Sequence, residues 1–297
     1  MVKPIFIIGR DRSGTKWLSN IIANHKDVAC VQHKDHFGIL EATDILGYAP
    51  IIFGDMRIPE NFIAFLECFS QTDFFRITGL DKEHFYRVRP DNYFSFFREM
   101  MDRFAENNCN SYWVQKSDII SMGDLSIHYP EGKFVIIIRD MKDNLRSKIG
   151  QRVREGINPQ KYLVRGAIRY FTDNALVKKY SDQDNVCVVQ YEHLIQDKST
   201  TVKNICKFLH IEFDEKMLED KFRKNTSFNN GVSRDKVFTQ MDLIKIAVIS
   251  ILLGALPAWV YDYLYLKRKK KIKNELLTFH ERKFISFKLR KKELGWK

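Results

Sequence analysis

Near its start the chain reads Ile5, Phe6, Ile7, Ile8 and Gly9, then Arg10, Asp11, Arg12, Ser13, Gly14, Thr15, Lys16 and Trp17. An unbroken apolar run closed by a glycine has the length and composition of a buried strand. Trp17, Leu18, Ile21 and Ile22 then recur at the spacing of one helix face. Strand, glycine-containing polar loop and helix therefore follow one another directly. In that order the free N–H groups of the first helical turn meet the end of the strand, and the helix dipole there favours negative charge. Gly14 lets the backbone approach a ligand closely, Arg12 and Lys16 add cationic donors, and Trp17 offers a flat face to a purine. The plain alternative is an ordinary strand-turn-helix with a surface Arg and Lys.

The rest of the chain repeats the alternation. Short strands are expected at Val28–Val31, at Tyr112–Val114, at Phe134–Ile138 and at Val186–Val189. The run at 134–138 suits the buried centre of a parallel sheet. Helical patterns cover about 142–155, 161–180 and a capped segment from Ser199 to Leu209. Residues 37–110 are rich in Phe and read as helices with long connections. Their rings form a helical core or line a cleft. Strands alternating with helices imply an α/β fold, a central mostly parallel sheet flanked by helices, carrying a C-terminal helical appendage. The expected division is 1–240 for the body and 241–297 for an apolar helical segment with a basic tail.

With 297 residues, 44% of them apolar, the chain can bury a large core. Its charge is uneven. Residues 267–297 hold thirteen Lys/Arg against three Glu, so ten of the twelve net positive charges lie in the last tenth of the chain. The basic tail contains no nucleic-acid reading module, and no nucleic-acid partner is expected. Five scattered cysteines (Cys30, Cys68, Cys109, Cys187 and Cys206) show no metal-ligand spacing, so no metal is expected. They read as reduced thiols of a cytoplasmic protein. The N-terminus enters a strand at once and is expected to carry neither signal nor anchor.

From Gly9 to Lys16 the loop approaches the nucleotide-binding pattern G-x-x-x-x-G-K-[ST], but Thr15 and Lys16 stand in reversed order. That reversal removes the hydroxyl after a Lys that would hold Mg²⁺, and with it the best reason to expect ATP. The stretch Phe6 to Leu18 instead resembles the first motif of sulfotransferases that use 3′-phosphoadenosine 5′-phosphosulfate (PAPS). The resemblance implies a P-loop NTPase-like sulfotransferase fold, with Arg12, Ser13, Gly14, Thr15, Lys16 and Trp17 around the 5′-phosphosulfate. Most members carry Ser or Thr at the position of Lys16, which here adds a second cation or projects into solvent.

Further stretches resemble the same family over about residues 3–235. Phe134 to Ile138 leads into Arg139, and Ser147 follows eight residues later. The resemblance implies that these two bind the 3′-phosphate, Arg with a fixed donor fork and permanent charge, Ser with a hydroxyl. Tyr191, at the end of a strand, would lie near the adenine. Ser227, Gly231 and Arg234 match the late loop that closes over the nucleotide. Lys34, Asp35, His36 and Phe37 resemble the Glu-x-His-Phe of carbohydrate sulfotransferases, with Lys in the Glu position. His36 is the expected general base, with Asp35 and Glu41 as alternatives. Lys116, in Trp113 to Ser117, would touch the sulfate or acceptor, or serve as a rim lysine. Arg12 and Lys16 would neutralise charge growing on the bridging oxygen.

Residues 246–266 are almost wholly apolar and long enough to span a bilayer. Gly254 and Pro257 interrupt them, and the basic tail follows directly. PAPS chemistry and so many Lys/Arg both belong on the cytoplasmic side, which one crossing would not satisfy. A re-entrant or interfacial helix pair satisfies both, with residues 246–297 on an anionic membrane surface. The alternative is a buried helix and a solvated basic one. The expected acceptor is a saccharide, glycolipid or lipid-linked molecule. Competing readings are a P-loop kinase or NTPase, and a non-catalytic membrane-bound nucleotide-binding scaffold. Calorimetric titration separates them. Adenosine 3′,5′-bisphosphate is expected to bind more tightly than ATP-Mg²⁺, and tight ATP-Mg²⁺ binding with none of the bisphosphate overturns the reading.

Overall fold

The computed structural model describes residues 2–33, 38–39, 49–154, 160–219 and 238–271. Five parallel strands form the main sheet: β1 (Lys3–Gly9), β2 (Val28–Ala29), β5 (Tyr112–Ser117), β6 (Lys133–Ile138) and β7 (Val186–Gln190). Their order is β2-β5-β1-β6-β7. A separate antiparallel pair joins β3 (Gln32–His33) and β4 (Gly38–Ile39). The helices of the described residues include α1 (Thr15–Ala23), α2 (Pro59–Phe69), α3 (Asp73–Thr78), α4 (Lys82–Val88), α5 (Tyr93–Asn107), α6 (Met122–His128), α7 (Met141–Arg154), α8 (Gln160–Tyr180), α9 (Tyr191–Gln196), α10 (Lys198–Leu209), α11 (Gln240–Gly254) and α12 (Ala258–Lys271).

The apolar runs occupy the centre because both of their faces are covered. Side chains alternate across a strand. Phe6, Ile8, Phe134 and Ile136 enter one core, with Trp113 and the Phe-rich helices. Ile5, Ile7, Val135 and Ile137 enter the opposite core, with Leu18, Ile21 and Ile22 of α1 and Val202, Ile205 and Leu209 of α10. After β1 the chain goes to one side of it for β2 and β5, then crosses to β6 and β7. The carboxyl ends of β1 and β6 therefore border a crevice where the connections diverge, the usual ligand position in such sheets.

The Phe-rich region is a core of helices. Phe65 meets Phe96 edge-on at 5.0 Å, and Phe96 lies 4.7 Å from Phe85, all three fully buried. The expected long connections are corrected here. Among the described residues, α2 to α5 are joined by turns of three or four residues, and local capping sets them. Thr72, Asp81 and Asn92 each accept from a first-turn N–H, and Asn92 with Ser95 forms a reciprocal box. Asp102 ties α5 to the sheet by accepting from Trp113 Nε1 at 2.6 Å. Other boundaries shift by a residue or two. The strand expected at 28–31 keeps only Val28–Ala29 in the main sheet, and Asp197 caps α10 by accepting from Thr200 N–H at 3.0 Å. The five cysteines are free thiols, and burial pushes the Cys206 thiol up to about 11.

At the C-terminal end Gly254 ends α11 and Ala258 begins α12, with a bend of 111° between them. Pro257 has no N–H to continue a helix and disfavours helical backbone at Leu256. Ile246 packs with Leu145, Ile149, Leu163 and Ala167 of α7 and α8. The α12 helix is seated by polar bonds. Tyr265 donates to the Ile120 carbonyl at 3.1 Å, and Lys269 pairs with Asp124 at 2.8 Å. Phe96→Ala is expected to cost about 3–5 kcal/mol, read as a lowered urea midpoint at unchanged slope.

Candidate functional site

The loop after β1 is shaped by close approach. A Cβ on Gly9 would lie 2.7 Å from the Ile137 carbonyl oxygen of β6, so glycine lets the loop leave β1 against its neighbour. Ser13 N–H donates to the Arg10 carbonyl at 3.1 Å, closing a turn. Within it Arg12 has φ 69°, a left-handed conformation that costs a non-glycine residue about 1–2 kcal/mol. Gly14 follows at φ 94° as the N-cap of α1 and supplies no side-chain cap. The first N–H groups of α1 therefore point past Gly14 as an anion-receptive end.

Neighbouring elements hold this conformation. Arg139, at the end of β6, donates from Nη1 to the Arg12 carbonyl at 3.2 Å. Asn144 of α7 donates from Nδ2 to the Asp11 carbonyl and to Ser13 Oγ, both at 3.0 Å. One turn on, Ser147 Oγ accepts from Arg12 Nε at 3.2 Å. Tyr191 opens α9, and its ring packs where a Cβ on Gly14 would be, 2.5 Å away. The Arg139 guanidinium covers that ring at 4.3 Å, and Trp17 meets it edge-on at 5.9 Å. Tyr170 donates to the Arg139 carbonyl at 2.8 Å. Two buried polar atoms in this network, Arg139 Nε and Asn144 Oδ1, have no hydrogen-bond partner among the described residues. A donor of permanent charge left unsatisfied beside an open helix N-terminus fits an anionic ligand.

Behind the loop lies a buried charge cluster. Arg10 donates to Asp173 Oδ2 at 3.2 Å and to the Gly166 carbonyl at 2.9 Å. Arg268 of α12 reaches the other oxygen of Asp173. Burial raises the Asp173 pKa, opposed by Arg268 and Arg10, with Asp118 adding to the rise. Burial, then Arg268, lowers the Arg169 pKa, and Arg10 and Arg165 act in the same direction. Arg10 and Arg268 thus share the one buried carboxylate of Asp173.

The Sulfotransferase family model matches residues 4–215. The chain belongs to the sulfotransferase family. Two solved structures with a TM-score of 0.50 share its fold, and a third is similar at 0.49. A Mycobacterium tuberculosis sulfotransferase aligns with a TM-score of 0.50 at 14% identity, covering 86% of this chain and 77% of that one. A mouse sulfotransferase complexed with PAP gives 0.50 at 12% identity, covering 89% of each. The sulfotransferase domain of a Synechococcus olefin synthase gives 0.49 at 19% identity, covering 86% of this chain and 96% of that one. No match is found among curated proteins.

In this sulfotransferase the structure brings Arg12, Ser13, Gly14, Thr15, Trp17, Arg139, Ser147 and Tyr191 together at the carboxyl ends of β1 and β6. Tyr191 is the first residue of α9 rather than the last of a strand. Lys16 is exposed on the first turn of α1. Lys116 is half-buried on β5, paired in register with Ile7 of β1. Asp35, His36, Glu41, Ser227, Gly231 and Arg234 lie outside the described residues. Sequence reasoning missed Asn144, although its place three residues before Ser147 on one helix face would have indicated it. It also missed Arg10, Tyr170 and Asp173, whose partners are distant in sequence. Gly14→Ala is expected to lose about 1–2 kcal/mol to the left-handed backbone and more by displacing Tyr191. Thermal denaturation reads the loss, and bisphosphate titration reads the accompanying fall in affinity.

Proposed function

We propose that the enzyme transfers the sulfuryl group of PAPS to a hydroxyl or amine of a saccharide, glycolipid or lipid-linked acceptor. The carrying observation is the convergence of Arg12, Arg139 and Ser147 on one left-handed loop, with Arg139 Nε unsatisfied beside it. In this reading the N–H groups of Gly14, Thr15 and Lys16 hold the 5′-phosphosulfate. Arg139 and Ser147 hold the 3′-phosphate, Trp17 and Tyr191 border the adenine, and Ser227, Gly231 and Arg234 close over it. The solved mouse complex with PAP supports that donor class.

Transfer is an in-line displacement. A bond forms between the acceptor oxygen or nitrogen and sulfur, and the bond from sulfur to the bridging oxygen of the donor breaks. The acceptor proton passes to His36, or to Asp35 or Glu41. Arg12 and Lys16 offset the charge that collects on the bridging oxygen, with Lys116 oriented to the sulfate or acceptor. A membrane-borne acceptor suits a chain whose last described helices expose Ile251, Leu252 and Trp259. The reaction then belongs at the cytoplasmic face.

Arg139→Ala removes charge-assisted bonds of about 1.5–3 kcal/mol. It is expected to lower kcat/KM and bisphosphate affinity by roughly 10–100-fold, and Ser147→Ala by less. Transfer of labelled sulfate from PAPS into fractionated glycans and lipids identifies the acceptor. Unchanged bisphosphate binding by Arg139→Ala overturns the donor assignment.

A further inference from the structure

The outer surface of the C-terminal helix pair has the wrong chemistry for a helix facing water. On α11 the inward positions are Asp242 and Ile246, with Ile249, Ser250 and Leu253 partly covered. The outward positions Ile244, Val248, Ile251 and Leu252 recur every three or four residues and are all exposed, Ile251 by 73%. On α12 Trp259, Tyr263 and Leu266 form a similar exposed row, Trp259 by 70%. Single exposed apolar side chains are ordinary, but contiguous rows on adjoining helices mark an interaction surface. The bend also stands partly off the body. Between it and α8 lies a cavity of about 590 Å³ whose lining includes Phe171, Ala175, Leu256 and Tyr261.

Charge decides the occupant. Exposed Lys267 and Lys270 lie on α12, and exposed Lys178 and Lys179 end α8 along the same cavity, with Asp262 the acidic member. The sequence adds a strongly basic tail after residue 271. A second copy of the chain would bring like charges together, whereas an anionic lipid surface meets both the apolar rows and the lysines. Length decides the geometry. At 1.5 Å per residue α11 covers about 22 Å and α12 about 21 Å, and a hydrocarbon core needs roughly 30 Å. No single described helix is long and apolar enough to cross a membrane.

We infer that α11 and α12 form an interfacial anchor, laid in the headgroup region of an anionic bilayer without spanning it. Trp259 and Tyr263 sit at the depth favoured by aromatic rings, and Ile251 and Leu252 enter the acyl boundary. This inference is independent of donor and acceptor, so its test uses neither. Full-length protein is floated with vesicles of phosphatidylcholine alone, or with about one-third phosphatidylglycerol. Binding to the anionic vesicles is expected to be at least about tenfold tighter and to weaken as salt rises. Ile251→Asp with Leu252→Asp is expected to lower binding about tenfold or more, and Lys267→Glu with Lys270→Glu to weaken the anionic preference. All four positions are exposed, so the thermal midpoint is expected to stay unchanged. Equal binding to both vesicles, binding to neither, full binding by the Ile251/Leu252 variant, or a stable dimer that excludes vesicles each overturns the inference.

Discussion

Arg139 donates to the Arg12 carbonyl across the carboxyl ends of β1 and β6, and the rest of the site is arranged around that bond. It fixes the one non-glycine left-handed residue of the loop and thereby sets where Ser13 and Gly14 turn into α1. Asn144 and Ser147, one helical turn apart on α7, hold the backbone and side chain of the same loop. Tyr170 holds the carbonyl of Arg139 in turn. Each bond is worth only about 0.5–1.5 kcal/mol net. Together they over-determine a backbone that would otherwise relax, which is the condition for keeping strain at a binding site.

What could be read from the sequence was whatever depends on neighbours in the chain. Unbroken apolar runs marked β1 and β6 because strands buried on both faces need no polar alternation. Arg139 and Ser147 were found through the family resemblance, which implies an Arg at this strand end and a Ser eight residues on in the next helix. The direction of Tyr191 was not legible. Its ring lies beneath Arg139, and that arrangement depends on α9 beginning at that residue. The Phe-rich region admitted a cleft or a core, and only the tight turns between α2 and α5 show why the rings face one another. Arg10, Asp173 and Arg268 form a buried group whose members carry no local pattern at all.

That group also illustrates how such a site tolerates charge indoors. A buried ion pair barely repays the desolvation of its members, and here one carboxylate serves two guanidiniums. Through that shared carboxylate the first loop, α8 and α12 are held to one another.

Asp173 also sets a limit on dissection. The segment that carries the family likeness ends at residue 215 and holds all five main-sheet strands, the loop, Arg139 and Ser147. It does not hold Arg268. A minimal domain cut at that border would keep the loop, Arg139 and Ser147 but lose one of the two cations on Asp173, which belongs to the last described helix. The border that family likeness draws around this protein is therefore not the border of its charge circuit, which runs from the loop after the first strand to the last described helix.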